Sequence, residues 1–148
     1  MRRQRGALAL EFAPLFVVFF GVFYAIVSYS LAILLQQAFT QAAAEGARAV
    51  VKVDPVAFKT DSAYLEAVRQ AARTRALDSL SWTSQTVRAR VDTATGIAVT
   101  RTAQGAISVT VKYADYANSP IIPAIDLPGL GKVPALPTDL LGRAVIQP

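Results

Sequence analysis

Few residues of this chain are equipped for chemistry, and one of them stands where a charge is costly. The sequence contains no cysteine and no histidine. That excludes disulfides, zinc-finger ligation, imidazole-bound metals, thiol or imidazole nucleophiles and a Ser–His–Asp triad. The carboxylates Asp92, Asp115, Asp126 and Asp139 fall on different segments, and no local spacing pairs two of them for acid–base work. Gly131-Lys132 suggests a phosphate loop, but that pattern needs glycine five residues before Gly131 and Ser or Thr after Lys132. Asp126 and Val133 hold those places. The chain therefore reads as a non-enzyme, with no cofactor and no metal implied. There remains Glu11, the single carboxylate between Ala7 and Leu35. In lipid an unpaired carboxylate is costly at depth and less so near the headgroups. It snorkels, stays protonated, or meets a cation. No Lys or Arg lies in the run, so a cation would come from the basic tail, another protein or a newly made N-terminal amine. Pro14, close behind, removes a backbone donor and disfavours a straight helix.

The element that positions Glu11 dominates the composition. Of 148 residues, 53% are hydrophobic and only 17% charged, and mean hydropathy is +0.39, too apolar for a disordered chain. Ala7 to Leu35 is a run of 29 residues, whereas a bilayer core needs about 20. Arg2, Arg3 and Arg5 precede the run, and the next cation is Arg48. The Lys/Arg bias keeps the N-terminus cytoplasmic and exports the chain beyond Leu35. The net charge of +5 is mostly this tail: without residues 1–6 there are 12 basic and 10 acidic side chains. The scattered remainder makes no nucleic-acid surface. A cleavable secretory signal would have an apolar region of about 7–15 residues and a small-x-small site. Ser28-Tyr29-Ser30 is the nearest match, and apolar residues continue beyond it to Leu35. A retained anchor is expected, spanning about residues 12–35.

RRQRG followed by ALALEF resembles the leader and cleavage junction of type IV pilin-like precursors, in which a short basic leader ends in glycine and a glutamate stands fifth in the mature chain. By that resemblance Gly6 ends the leader, Ala7 becomes the new N-terminus and Glu11 is the fifth-position glutamate. Its carboxylate would meet the amine of a neighbouring subunit and set assembly register. A narrower similarity, to the TadE-like family of tight-adherence (Flp-type) pilus systems, covers residues 5–51. It rests on Arg5, Gly6, Glu11, Phe12, Ala13, Gly21, Gln37, Ala38, Ala43, Glu45, Gly46, Ala47 and Arg48. Pro14 falls earlier than the family's usual proline. The resemblance implies a pseudopilin or minor pilin, processed by a prepilin peptidase. Its partners would be other pilin or pseudopilin subunits, the pilus assembly platform and the lipid bilayer. The location would be the bacterial inner membrane, single-pass, with entry into a pilus and roles in adhesion or secretion.

Beyond the span, Gln36 to Val51 continues the helix. Its small residues, Ala43, Gly46 and Ala47 among them, allow close approach of another helix or reflect alanine's helix propensity. With Gly21, these three are the candidate helix-packing positions. Glu45 and Arg48 are spaced for a solvated i, i+3 pair. Asp61 or Ser62 caps a second helix running to about Leu80, with Leu65, Val68, Ala72, Ala76 and Leu80 on one stripe. Arg69, Arg73 and Arg75 lie off its centre, as a solvated face rather than an anion site. Alternation predicts strands at Thr86–Asp92 and Ala106–Tyr113; Ile97–Thr102 lies between them, set off by turns at Thr95-Gly96 and Gln104-Gly105, and Leu140–Ile146 is the candidate for a fourth strand. Residues 118–139 carry five prolines, which bar a regular helix or central strand. The segment is nonetheless apolar, so it wraps its own domain, the favoured reading, or offers a surface to a partner.

The expected organisation is α+β: a basic leader at 1–6, a transmembrane and extended helix at 7–52, and an exported domain at 53–148 containing one helix and a three- or four-stranded antiparallel sheet. The favoured role is a structural subunit cut after Gly6. Against it stand an uncleaved anchored adaptor of an envelope secretion complex and a tethered binding module or hydrolase using the proline-rich loop.

Overall fold

The computed structural model describes residues 4–127 and 131–147, with side chains from Glu11 onward apart from Leu127. Arg2 and Arg3 of the leader, and Pro128 to Leu130 of the proline-rich loop, lie outside the described residues. Helix α1 runs unbroken from Gln4 to Val50, 47 residues or about 70 Å. Pro14 sits inside it without ending it. The ladder loses one donor there, as the missing N–H requires. A short turn at Pro55–Ala57, capped by Asp54, leads into α2, Asp61–Ser79. The cap of α2 is Thr60, whose hydroxyl accepts from the Ala63 N–H at 3.3 Å, one residue before the expected position.

The strand expected at Thr86–Asp92 is a helix, α3, Gln85–Val91. Val87 and Val91 are buried while Ala89 is exposed, so burial repeats every four residues instead of every two. Ser84 decides between the two periods: its hydroxyl accepts from the Val87 N–H at 3.4 Å and starts a helical turn. The part of the chain beyond α1 therefore has two α-helices among the described residues, not one.

Strands β1 (Ile97–Arg101), β2 (Ile107–Tyr113) and β5 (Leu140–Ile146) form an antiparallel sheet in the order β1-β2-β5. Ile97 faces Val111, and Val109 faces both Val99 and Ala144. Gly105, at a φ of 84°, makes the β1–β2 turn, a conformation L side chains avoid. The proline-rich loop contains a separate two-stranded hairpin, β3 (Ile125–Leu127) and β4 (Gly131–Val133).

The second half of α1 lies on this sheet and against α2. Phe39, Val50, Val68, Leu80, Val109, Val111 and Leu140 close the core between them. Arg75 bridges α2 to Glu45 of α1 at 3.5 Å, and Arg73 reaches Asp92 at 2.5 Å. These arginines thus sit in exposed ion pairs. At the root of the proline-rich loop, Tyr113 and Tyr116 pack edge to face with ring centres 5.3 Å apart. Burial pushes the Tyr116 phenol above its ordinary value, partly offset by the Ile121 N–H.

Candidate assembly site

Gly6 and Ala7 belong to the first turn of α1, and Glu11 follows Ala7 by four residues, about 6 Å of helical rise. Gly6, Ala7 and Glu11 therefore lie on one continuous helix. Glu11 is exposed, and the described ion pairs do not include it.

Around and beyond it the helix is apolar on every side. Phe12 is 62% exposed, Leu15 65%, Phe19 67% and Phe23 56%. The richest 18-residue window has a mean hydropathy of 2.3, with 17% of it buried within the chain. A core helix of a soluble domain would show the reverse, so α1 is a candidate membrane span by length, composition and exposure. Gly21 lies in this stretch and is itself buried, between exposed Phe20 and Val22.

The bare stretch also carries an aromatic ridge that the sequence did not make obvious. Phe12, Phe16, Phe20 and Tyr24 succeed one another at i, i+4, with ring centres 6.0, 6.2 and 6.2 Å apart. Phe19 and Phe23 make a second such pair at 6.5 Å. The spacing was legible, but a uniformly apolar run hides the periodicity of its largest side chains. The ridge gives the span one bulky, stiff face for a neighbouring helix, each stacked pair adding about 0.5–1.5 kcal/mol beyond area burial.

The small-residue positions are engaged within the chain. Ala43 and Ala47 are buried. A β-carbon at Gly46 would stand 3.0 Å from the Ala72 carbonyl oxygen and 3.2 Å from Val109 Cγ1. The helix that approaches this stripe is α2 of the same chain, with β2 beside it. Gly142 has the sharper constraint: a β-carbon there would collide with the Phe39 carbonyl carbon and the Thr40 nitrogen. Strand β5 thus lies directly on the α1 backbone. A glycine inside a strand pattern signals close backbone approach, and that was the clue available in Leu140–Ile146. The opposite face of α1 stays open, with Ile33, Gln36, Gln37, Thr40, Gln41 and Ala44 lining a shallow groove.

The proline-rich loop turns back along α1. The Tyr24 hydroxyl donates to the Pro123 carbonyl oxygen, and the Tyr29 hydroxyl donates to that of Ala135 at 3.1 Å. The loop thus covers part of its own chain while leaving Ile121 exposed.

The family model described as TadE-like protein matches residues 6–48, the junction, the bare span and the small-residue stripe. At family level this supports a minor pilin associated with tight-adherence pili. No curated protein and no solved structure matches the chain.

Proposed function

We propose that this chain, TadE-like over residues 6–48, is a minor pilin or pseudopilin of a tight-adherence pilus, cut after Gly6 by a prepilin peptidase. The observation that carries the reading is the construction of α1. A glycine junction, a carboxylate one turn later and an apolar span whose large side chains stand open from Phe12 to Phe23 run without a break into the helix that holds the exported domain.

The chemistry on this chain is one hydrolysis performed by another protein. Water adds across the Gly6–Ala7 amide, leaving a carboxylate on the leader and an ammonium on Ala7. The removed leader takes Arg2, Arg3 and Arg5 with it, so the new amine becomes the cation nearest the bilayer. Glu11 then has a partner of opposite sign at a subunit boundary. At 4 Å such a pair gains about 4 kcal/mol at an effective dielectric of about 20, against about 1 in water. Desolvation offsets part of this, so the pair specifies register more than it adds net stability. The aromatic ridge and the open face of α1 supply apolar contact with neighbouring helices. The role is structural and non-enzymatic, with the N-terminus cytoplasmic and the domain exported from a bacterial inner membrane. The assembly platform and other pilin subunits are its partners.

The second reading is an uncleaved adaptor of an envelope secretion complex, for which the extensive docking of α1 on its own domain speaks. Glu11→Ala separates the two. In cells expressing the whole pilus system, the substitution reduces recovery of this chain with pilus subunits at least tenfold under the first reading. Recovery equal to wild type supports the adaptor.

A further inference from the structure

We propose that the described parts of the proline-rich arm, residues 121–126 and 131–136, rest in the outer headgroup layer as a collar on α1. It fixes the outer end of the span near Tyr24–Tyr29 instead of at Leu35. The proposal rests on the membrane-anchored reading above and deepens it, naming a lipid surface as what the arm meets.

Four observations converge on that height. First, both ends of the β3–β4 hairpin are pinned to α1, at Tyr24 through Pro123 and at Tyr29 through Ala135. Second, the environment of α1 changes at this point. From Phe12 to Phe23 its large side chains are open, whereas from Ser28 onward one face, Ser28, Ala32, Leu35 and Phe39, is buried within the chain while Ile26, Ile33 and Leu34 stay exposed on the other. Third, Ala7 to Val27 is a stretch of 21 residues, about 31 Å of helix, which matches a hydrocarbon core of about 30 Å. A span from 12 to 35 would instead carry the arm about 12 Å into hydrocarbon, with exposed Asp126 and Lys132 on it. Charges and irregular backbone are excluded from lipid-facing hydrocarbon.

Fourth, the arm has an interfacial composition. Ile121 is exposed, while Ile122, Ile125 and Leu136 are partly so, beside the Asp126–Lys132 cross-strand pair. Tyrosines with an apolar ring and a polar tip collect at the same level. Two arm carbonyls take their donors from Tyr24 and Tyr29, where water is scarce and the prolines supply no N–H. The shift places Glu11 about one turn inside the inner boundary, within reach of the inner headgroups.

The chain has no cysteine, so single-site labelling is clean. Five full-length variants, Phe16→Cys, Ile33→Cys, Lys59→Cys, Ile121→Cys and Lys132→Cys, all at exposed positions, are labelled with a small fluorophore and placed in phosphatidylcholine–phosphatidylglycerol vesicles. Quenching is compared between a headgroup nitroxide lipid, a mid-acyl nitroxide lipid and aqueous iodide. Position 16 should be quenched best by the acyl nitroxide, and 59 by iodide alone. Positions 121 and 132 should be quenched several-fold more by the headgroup nitroxide than 59 is. Position 33 should respond to iodide and the headgroup nitroxide, not to the acyl one. If 121 and 132 behave like 59, the arm faces water and waits for a protein, and the proposal fails. Acyl quenching at 33 equal to that at 16 overturns it by restoring the longer span. Iodide quenching at 16 would instead sink the membrane-anchored reading itself.

Discussion

Gly142 shows how much a single residue can decide in this molecule. Strand β5 crosses α1 so closely that no side chain fits between them. Gly142→Val should therefore cost about 3 kcal/mol or more, at the upper end of what overpacking exacts. Urea unfolding of the detergent-solubilised chain measures this, and a loss below about 0.5 kcal/mol, the scale of an ordinary surface change, would contradict the contact. Gly46 is a milder case, since a methyl group there meets Ala72 and Val109 at the edge of tolerable distances. The sequence made Gly46 conspicuous because it interrupts an alanine-rich helix. Gly142 was less visible, because its partner lies a hundred residues away on α1. Glu11 is the lone carboxylate of an apolar run, and its place one turn beyond Ala7 on α1 comes from helical rise alone.

At the scale of elements, periodicity resolved what had one dominant period. The stripe Val68, Ala72, Ala76 and Leu80 is buried as the spacing of α2 requires. Strand β2 occupies the segment whose alternation predicted it, and β1 and β5 fall where a middle and a returning strand were expected. Residues 86–92 failed because valines at 87 and 91 satisfy period two and period four at once, and a serine cap outside the segment broke the tie. The hairpin β3–β4 was invisible for a different reason: its strands are three residues each, too short for any period. One tie between elements has a pH signature. Lys112 on β2 holds Asp139, at the entry to β5, at 2.8 Å, and the Asp115 N–H donates to the same carboxylate at 2.9 Å. The Lys112 hydrogen bond foremost, with the Asp115 N–H, lowers the Asp139 pKa below its ordinary value of 3.8. A carboxyl depressed on folding stabilises the fold above its unfolded value, and that contribution fades as pH falls through the folded one. Stability should therefore drop as pH goes from about 4 downward, and Asp139→Asn should flatten that limb. Denaturation midpoints measured across this range check it, and an unchanged acid limb in the variant would assign the pH dependence elsewhere.

The whole molecule is one long helix used twice. From Phe12 to Phe23 its large apolar side chains stand exposed, and its second half is the spine on which α2 and the sheet assemble. The family match covers residues 6–48, nearly all of α1, so the similarity to that family lies in the helix. The most direct test of the proposed processing is the intact mass and N-terminal sequence of the chain after coexpression with a prepilin peptidase. The account predicts a mature protein beginning at Ala7, and none from Gly6→Leu. A chain still beginning at Met1, beside a peptidase shown to be cutting another substrate, would contradict it.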